Sequence, residues 1–417
     1  MPRWLPLGLA SAAALTAACP WPRGGGVPTP GEEPEVRVGL GVELTRVTLG
    51  GDGELFLTDD RTGAAIGAVA AGVTWTARPD SGDLVLERPD GSRAGRYGGI
   101  SAVNVSEGRF AMAQGRRYRG RLSVFAGRAG LTLVNRVPLE AYVTSVTGAE
   151  MGRRRPDEAS AVTAQAVVSR TLGVRNRGRW ETLGFDVFGD TRDQVYGGVA
   201  SEQPGTGEAV RRTAGIILTY RGQPIDAFFH STCGHSTAAV EEVFRHATRR
   251  PYLRSVSDAR RGGGGYYCAI SPRFRWREEW DAARLRAILT RTLPAVMNVA
   301  GDGVQRVTDI SIDGSTSSGR ARELVIRFRR GEVRVDGPDI RRVLRPAPDR
   351  HLGSTAFQLH VSRNDDGDVA RVVAAGGGWG HGVGLCQWGA VGRARAGHDF
   401  RKILSTYFPG TTLEKLY

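Results

Sequence analysis

The chain has 417 residues, which is too many for one ordinary hydrophobic core and enough for two domains. Lysine and arginine number 57 against 43 aspartates and glutamates, so the net charge is +14. Such a charge suits nucleic acid, but the amino-terminal leader argues against that partner because it predicts export. A basic exported surface would instead attract anionic membrane headgroups.

Residues 1–18 contain one arginine, an apolar run and then small residues, which is the pattern of a secretory signal. The end of this leader resembles a bacterial lipobox, so Cys19 is predicted to carry a lipid. Thr16 stands where an aliphatic residue is usual, and plain cleavage after Ala18 is the alternative. Residues 19–35 are rich in proline and glycine and are predicted to be a tether. We therefore expect an exported protein, either anchored to a membrane as a lipoprotein or free in the periplasmic or extracellular space.

Short alternating runs broken by glycine and aspartate fill residues 36–132, and this pattern predicts β-strands. Residues 133–417 mix helical periodicity with further strands, including an accessory β-unit around residues 300–375. The sequence therefore predicts an α+β fold, in which a β-rich N-terminal domain precedes a mixed helical and β domain. One continuous unit is the alternative, because the sequence does not decide the join near residues 135–138.

Glu150 lies between two predicted helices. The first opens at Pro138, whose missing N–H needs no partner in a first helical turn, and ends at Gly148. The second begins near Pro156 and keeps helical spacing of apolar residues as far as Leu172. We expect Glu150 in the connection, where packed apolar surface would disfavour its anion and let it act as a general acid. The plain alternative is an ion pair with one of the arginines that follow, Arg153, Arg154 or Arg155.

A predicted hairpin, turning at Arg221-Gly222, delivers His230, Cys233 and His235 to one strand end. Separations of three and two residues on an irregular turn let these side chains converge on a metal, and zinc accepts both imidazole and thiolate. In an oxidising compartment Cys233 could instead form a disulfide with Cys268. Both interpretations stay open, and with Cys19 lipidated each leaves at least one of the three remaining cysteines unpaired.

Five segments carry a wider resemblance, and in chain order they are VPLEAYVTSVTGAEM (137–151), AVTAQAVVSRT (161–171), DTRDQVYGG (190–198), AFFHSTCGHST (227–237) and GGGWGHGVGLCQWGA (376–390). Over about residues 130–417 they resemble the blocks of the SpoIID/LytB family, named for stage II sporulation protein D. Members with an assigned activity are lytic transglycosylases that act on peptidoglycan glycan strands stripped of stem peptides. Their catalytic residue is the glutamate before methionine in the first block, so the resemblance implies this role for Glu150.

The same resemblance implies the rest of the site. It places the DTRDQVYGG block beside Glu150, and the substrate-binding candidates are Arg155, Gln165, Gln194, Tyr196, His381 and Gln387. It implies Cys268 as a fourth zinc ligand with His230, Cys233 and His235, so the expected cofactor is a structural zinc ion. The plain alternatives are turn and strand packing for Gln194 and Tyr196, and a buried ring bonded to backbone for His381.

We therefore expect a cell-wall enzyme that cleaves between N-acetylmuramic acid and N-acetylglucosamine and leaves 1,6-anhydro ends. One carboxylate suffices for this reaction, and Glu140 is expected to be structural. Two alternatives are a non-catalytic protein that enhances a cell-wall amidase, and a zinc hydrolase centred on His230, Cys233 and His235. The expected partners are glycan strands, whose muramic acid carboxylates suit a basic surface, a membrane reached through the lipid anchor, and an amidase, with no nucleic acid.

Overall fold

The computed structural model describes residues 32–244, 246–297, 304 and 306–417, and residue contacts divide them into two compact units. The N-terminal unit contains residues 32–228, 393–404 and 411–417. The C-terminal unit contains Phe229–Gly392 with Ser405–Gly410. The predicted signal, Cys19 and most of the predicted tether lie outside the described residues.

The N-terminal unit contains many strands, and twelve of those described lie within residues 35–138. In chain order, the strands as far as Pro224 are β1 (Glu35–Leu44), β2 (Val47–Gly51), β3 (Leu55–Asp59), β4 (Ala65–Val69), β5 (Thr74–Asp80), β6 (Asp83–Glu87), β7 (Arg93–Tyr97), β8 (Gly99–Asn104), β9 (Ala111–Ala113), β10 (Arg116–Tyr118), β11 (Arg121–Ala126), β12 (Leu131–Pro138), β13 (Val187–Phe188), β14 (Ile216–Tyr220) and β15 (Gln223–Pro224). One sheet has the order β13-β1-β12-β11-β8-β3-β4, and a second has the order β10-β9-β2-β5-β6-β7. Alternating burial along β1 and β3 accounts for the period-two pattern in the sequence.

Three helices follow in this unit, and two of them frame the candidate site. They are α1 (Leu139–Met151), α2 (Ala159–Arg175) and α3 (Pro204–Arg212), and a 3-10 turn at Pro156–Glu158 precedes α2. Strand β12 runs directly into α1, whose apolar residues Leu139, Tyr142, Val143 and Val146 are fully buried. Helix α2 is buried on nearly every side, as expected for a helix in the centre of a fold. The two helices predicted around Glu150 are therefore present.

The C-terminal unit combines small sheets with short helices. Its elements are β16 (Phe229–His230), α4 (Val240–Val243), β17 (Arg275–Asp281), α5 (Ala282–Met297), β18 (Val307–Ser315), β19 (Ala321–Phe328), β20 (Glu332–Asp336), α6 (Gly337–Val343), β21 (Phe357–Arg363), β22 (Val369–Gly377) and β23 (Leu385–Cys386). Strands β16 and β23 form a parallel pair, and two antiparallel sheets have the orders β17-β22-β21 and β18-β19-β20. A hydrophobic cluster around Trp280, Leu289 and Leu324 joins the latter two sheets with α5 and α6.

The chain ends with α7 (Gln387–Arg395), α8 (Phe400–Tyr407) and β24 (Thr412–Lys415), and β24 pairs with β14. The predicted α+β class is confirmed, and the N-terminal region is rich in strands. The boundary predicted between residues 132 and 133 stays a prediction, although β12 runs through it and the contacts divide the chain at residues 228 and 229. In the part of the chain that the structure describes, no helix has the length and apolar character needed to cross a membrane.

Candidate active site and cysteine cluster

Glu150 occupies the last turn of α1 and is partly exposed to solvent. The expectation that it lies in a loop after Gly148 was wrong, because the helix continues to Met151. Gly152, with φ of 61°, caps the helix and donates its N–H to the carbonyl oxygen of Gly148 over 2.9 Å. The glycine that ends the helix is therefore four residues later than predicted, and Glu150 is held by regular helical backbone.

Gly148 has a packing role inside the helix. A Cβ at this position would lie 2.0 Å from the carbonyl oxygen of Ser201, so no side chain fits there. Ser145, one turn earlier, donates its hydroxyl to the carbonyl oxygen of Gly198 over 2.8 Å. These contacts seat residues 197–201 against the same end of α1 that carries Glu150.

The DTRDQVYGG block does reach Glu150, as the family resemblance implied. The N–H of Val195 donates a hydrogen bond to Oε1 of Glu150 over 3.4 Å. Val195 itself exposes 38% of its surface, so an apolar side chain faces solvent beside the carboxylate. A partly exposed carboxylate at a helix end, beside an N–H donor and an apolar side chain, can exchange a proton with a bound ligand.

Asp193, which sequence reasoning missed, anchors this block. Its carboxylate accepts hydrogen bonds from Arg179 Nη1 and Trp180 Nε1, both at 2.8 Å, and from the Phe188 N–H at 2.9 Å. Only 1% of its side chain is exposed. Because its oxygens are committed to these donors, Asp193 fixes the backbone that carries Val195 and does not serve as a second acid.

Gln194 and Tyr196 alternate with Val195 and point into the fold. Gln194 is 2% exposed, and its amide donates to the Tyr142 hydroxyl at 3.1 Å and to the Ser169 carbonyl at 3.2 Å. Tyr196 is 5% exposed, and its hydroxyl donates to Oδ1 of Asn135 over 2.6 Å. Burial raises the pKa of both tyrosines well above the ordinary value. The geometry agrees with the packing alternative, since the side chains of Gln194 and Tyr196 are buried and bond to other groups of the fold.

The other two candidates of this unit differ in exposure. Arg155 is exposed and forms an ion pair with Asp157, while its N–H donates to Glu158 over 3.0 Å. Gln165, by contrast, is fully buried in α2 and donates to the Ser169 hydroxyl over 3.1 Å. A side chain without exposed surface has nothing to offer a substrate, so the substrate-binding assignment of Gln165 was wrong. Helical spacing had placed it on the buried face that it occupies.

Glu140 is structural, as expected. Its carboxylate accepts Nε and Nη2 of the fully buried Arg170 at 2.7 and 2.6 Å, and the Gly215 N–H donates to the same group over 3.1 Å. Tyr417 adds its hydroxyl to this network. The donors are side chains and backbone of the protein itself. Glu140 therefore links the start of α1 to α2 and to the strand region around Gly215.

In the C-terminal unit three cysteines and one aspartate converge, and this group includes only part of the predicted set of zinc ligands. The side chains of Cys233, Asp258, Cys268 and Cys386 are fully buried, and their potential ligand atoms all lie within 4.8 Å of one another. The two sulfurs of the suggested disulfide, Cys233 and Cys268, are 3.5 Å apart, and all three cysteines are free. Two of the four predicted zinc ligands are thus brought together, with two that sequence reasoning missed.

His230 and His235 do not join this cluster, so their assignment as ligands was wrong. Nδ1 of His230 donates instead to the Val383 carbonyl oxygen at 3.1 Å, and His235 is half-buried near Gly319. The reason is local geometry. His230 is part of β16, which pairs with β23, and its ring bonds to the backbone of Val383, two residues before β23. A zinc hydrolase centred on His230, Cys233 and His235 loses its support with this arrangement.

His381 packs beside His230, and both rings bond to the backbone of Val383. The N–H of Val383 donates to Nδ1 of His381 at 3.1 Å, and the two imidazole rings are 5.6 Å apart. Burial lowers the pKa of both histidines to about 3, so both are neutral at physiological pH. This agrees with the alternative of a ring bonded to backbone. Gln387, the remaining substrate-binding candidate, opens α7 and is 7% exposed.

Comparison with known proteins assigns the chain to a family. The model of the stage II sporulation protein family, SpoIID, matches residues 127–220, which include Glu150, and a domain of unknown function, DUF8618, matches residues 261–384. An uncharacterized protein of Brachyspira hyodysenteriae is 30% identical over 303 residues, which cover 72% of this chain and 73% of that protein. The chain belongs to the SpoIID family.

Two named relatives come from Bacillus subtilis strain 168. Stage II sporulation protein D is 29% identical over 303 residues, covering 68% of this chain and 76% of that protein. The amidase enhancer is 30% identical over 277 residues, covering 61% of this chain but only 38% of that protein. The similarity to the amidase enhancer therefore concerns a minor part of that longer chain.

Proposed function

We propose that this protein is a lytic transglycosylase that cleaves the bond between N-acetylmuramic acid and N-acetylglucosamine in peptidoglycan glycan strands, with denuded strands as its substrate. The observation that carries this function is the position of Glu150. It is a partly exposed carboxylate on the last turn of a buried helix, beside the Val195 N–H, within the residues that the SpoIID family model matches.

In this mechanism Glu150 acts first as acid and then as base. Its carboxyl proton goes to the glycosidic oxygen as the bond to the anomeric carbon breaks. The resulting carboxylate then takes the proton of the muramic 6-hydroxyl, and that oxygen closes on the anomeric carbon. Water is not consumed, the product end is 1,6-anhydroMurNAc, and Glu150 regains its proton. The Val195 N–H supports the carboxylate between the two steps.

A mechanism with a single acid agrees with the positions and partners of the other carboxylates described above for the N-terminal unit. A hydrolase needs a second carboxyl group about 5 to 9.5 Å from the first. Glu140 lies ten residues before Glu150 on the same helix, a rise of about 15 Å, and it is bonded to Arg170. Asp193 is committed to Arg179, Trp180 and the backbone. Neither offers an available base opposite Glu150.

Digestion of denuded glycan strands tests the reaction. We expect mass spectrometry to find products that end in 1,6-anhydroMurNAc. Products with reducing ends would instead identify a hydrolase, and no products from a folded protein would contradict glycan cleavage.

Glu150→Gln keeps the shape of the side chain and removes its proton, so it should lower cleavage by about 10²–10⁴-fold. Glu208→Gln makes the same carboxyl-to-amide change on an exposed residue of α3 and should cleave normally. Wild-type cleavage by Glu150→Gln, or an equal loss in Glu208→Gln, would contradict the role of Glu150.

A second candidate is enhancement of a cell-wall amidase, and the similarity to the Bacillus amidase enhancer favours it. In that case the protein alone leaves glycan intact, and it raises the rate at which an added amidase releases stem peptides. Glu150→Gln should then enhance the amidase as well as wild type does. The two functions are thus distinguished by one variant in two assays.

We also propose that the protein acts outside the cytoplasm and is held at a membrane by a lipid on Cys19. The leader pattern of residues 1–18 and the small residues before Cys19 support this location. Cells labelled with a clickable fatty acid should label the wild-type protein and not Cys19→Ala. Persistent label on Cys19→Ala would contradict anchoring at this residue.

A further inference from the structure

We propose that Cys233, Asp258, Cys268 and Cys386 bind one zinc ion in a closed, structural site. Their four ligand atoms lie within 4.8 Å of one another and all four side chains are buried. Ligands about 2.3 Å from a shared tetrahedral centre are about 3.8 Å apart, so the cluster has the dimensions of such a site before any metal is added. The zinc site is independent of the proposed glycan cleavage.

The fold brings these residues together from distant parts of the sequence. Residues of β16 pair in parallel with β23, with His230 opposite Cys386, and Cys233 lies three residues after the end of β16. Cys268 lies in a 3-10 turn at Tyr267–Ile270, whose first N–H donates to the Asp258 carbonyl oxygen over 2.9 Å. The elements here are very short, since β16 and β23 have two residues each. A metal that links three such segments would stabilise a region with little regular structure.

Two ligands are already oriented by hydrogen bonds from backbone N–H groups and from one tyrosine hydroxyl. Oδ1 of Asp258 accepts the Tyr407 hydroxyl at 2.7 Å, and Oδ2 accepts the Cys268 N–H at 2.8 Å. Sγ of Cys386 accepts the N–H groups of Cys233 and Gly389, both at 3.2 Å. Bonds of this kind fix the direction of a ligand and favour its anionic form.

Gly389 shows how closely α7 approaches the cluster. A Cβ at this position would lie 2.8 Å and 2.9 Å from the two carboxylate oxygens of Asp258. The helix begins directly after Cys386, so that sulfur takes the position of an N-terminal cap and receives the third N–H of the helix. A helix N-terminus favours a thiolate over a thiol.

The ligand types favour zinc over the other common ions. Three thiolates and one carboxylate are a soft, compact donor set, which suits tetrahedral zinc and is wrong for magnesium or calcium. The negative charge is offset in part by Arg320, which is 1% exposed and donates to the Cys233 carbonyl oxygen over 3.0 Å. With four protein ligands the ion would have no open position for water, so its role is structural.

Metal analysis of the full chain with all four proposed ligands intact gives the first test. The full chain carrying Cys19→Ser, purified without chelator, should contain about one zinc ion per chain and three titratable thiols after denaturation. Cobalt substituted for zinc should show intense sulfur-to-metal charge-transfer absorption and a tetrahedral visible spectrum. Absence of metal overturns the site, whether three thiols titrate or only one, as a disulfide between two cysteines would give, and so does iron in place of zinc.

Variants then distinguish this ligand set from the one predicted by spacing. Cys386→Ser and Asp258→Asn should each weaken zinc binding by at least about 10-fold. His235→Gln is the matched control, because it lies two residues from Cys233 outside the cluster, and it should retain zinc fully. Loss of zinc in His235→Gln with retention in Cys386→Ser and Asp258→Asn would overturn the assignment. If a ligand variant fails to fold, the cobalt spectrum of the wild-type ligands decides.

Discussion

The carbonyl oxygen of Ser201 lies where Gly148 has no side chain, only 2.0 Å from the place that a Cβ would take. Gly148 is one helical turn from the end of α1, and residues 197–201 continue the segment that reaches Glu150 through Val195. The close contact between Gly148 and the Ser201 carbonyl therefore couples the end of α1, the loop at residues 197–201 and the carboxylate of Glu150.

Gly148→Ala should destabilise the N-terminal unit and lower activity. Overpacking costs about 1–3 kcal/mol, which exceeds the gain of about 1 kcal/mol from replacing a helical glycine by alanine. Calorimetry should show a lower melting temperature, and glycan cleavage by the folded protein should fall because the Val195 N–H moves.

Gly205→Ala is the matched control for this substitution. Gly205 lies in α3, and a Cβ there meets nothing within 4 Å. The variant should be as stable as wild type or more stable, by up to about 1 kcal/mol. Equal melting temperatures for the Gly148 and Gly205 variants would show that the contact with Ser201 is not restrictive.

Sequence patterns predicted well the features that depend on neighbouring residues. The hairpin turn at Arg221 and Gly222 forms with φ of 54° and 71°, and the helix predicted to open at Pro138 begins one residue later, at Leu139. Gly148 misled the prediction of the helix end, because a glycine that ends a helix and one that admits a neighbouring backbone look alike in sequence. Only the long-range contact with Ser201 separates the two.

The cysteine cluster marks the limit of reasoning from spacing. Cys233 and Cys386 are 153 residues apart and meet because β16 pairs with β23. His230 and His235 were chosen because they flank Cys233, but strand geometry sends the His230 ring to the Val383 carbonyl. The three cysteines that follow Cys19 were the available signal, since a disulfide between two of them would have left one thiol unexplained.

Glu140→Gln should destabilise the protein without removing the catalytic group. Arg170 is fully buried, so loss of its carboxylate partner should cost about 3 kcal/mol, the lower end for a buried pair, because Arg170 keeps the Ile216 carbonyl at 3.0 Å. Urea denaturation measures the loss, and the exposed pair partner Glu208→Gln should lose less than about 1 kcal/mol. Assayed well below its melting temperature, Glu140→Gln should still cleave glycan. Complete loss of cleavage in a folded variant would indicate a two-carboxylate enzyme.

Tyr196→Phe tests whether this residue supports the site or binds substrate. The substitution removes the hydroxyl that donates to Oδ1 of the fully buried Asn135, and an acceptor left unsatisfied costs about 1–3 kcal/mol. Tyr118 stacks on Tyr196 with ring centroids 6.2 Å apart, and the matched variant Tyr118→Phe, which leaves Asn135 satisfied, should destabilise the protein less than Tyr196→Phe does. The KM for glycan should be unchanged in both variants. A raised KM in Tyr196→Phe with normal stability would restore the substrate-binding role.

His381 should make the C-terminal unit sensitive to acid. Its pKa is lowered to about 3 by burial, with smaller contributions from His230, Arg341 and Arg320, whereas an unfolded histidine has its ordinary value near 6.5. Between these values the unfolded chain binds the proton and the folded chain does not. Stability is therefore full above about pH 6.5 and is lost as the pH falls toward 3, by at most about 1.4 kcal/mol per pH unit for this ring.

His381→Gln removes this proton and should flatten the fall in melting temperature between pH 6.5 and 4. His230 has a similarly lowered pKa, so part of the slope should remain in the variant. His360→Gln is the matched control, since His360 is an exposed histidine on β21. The measurement is a series of calorimetric scans across this pH range for the three proteins. A slope in His381→Gln as steep as that of wild type would mean that the His381 ring takes up its proton in the folded protein, and the ring would then be accessible to a ligand.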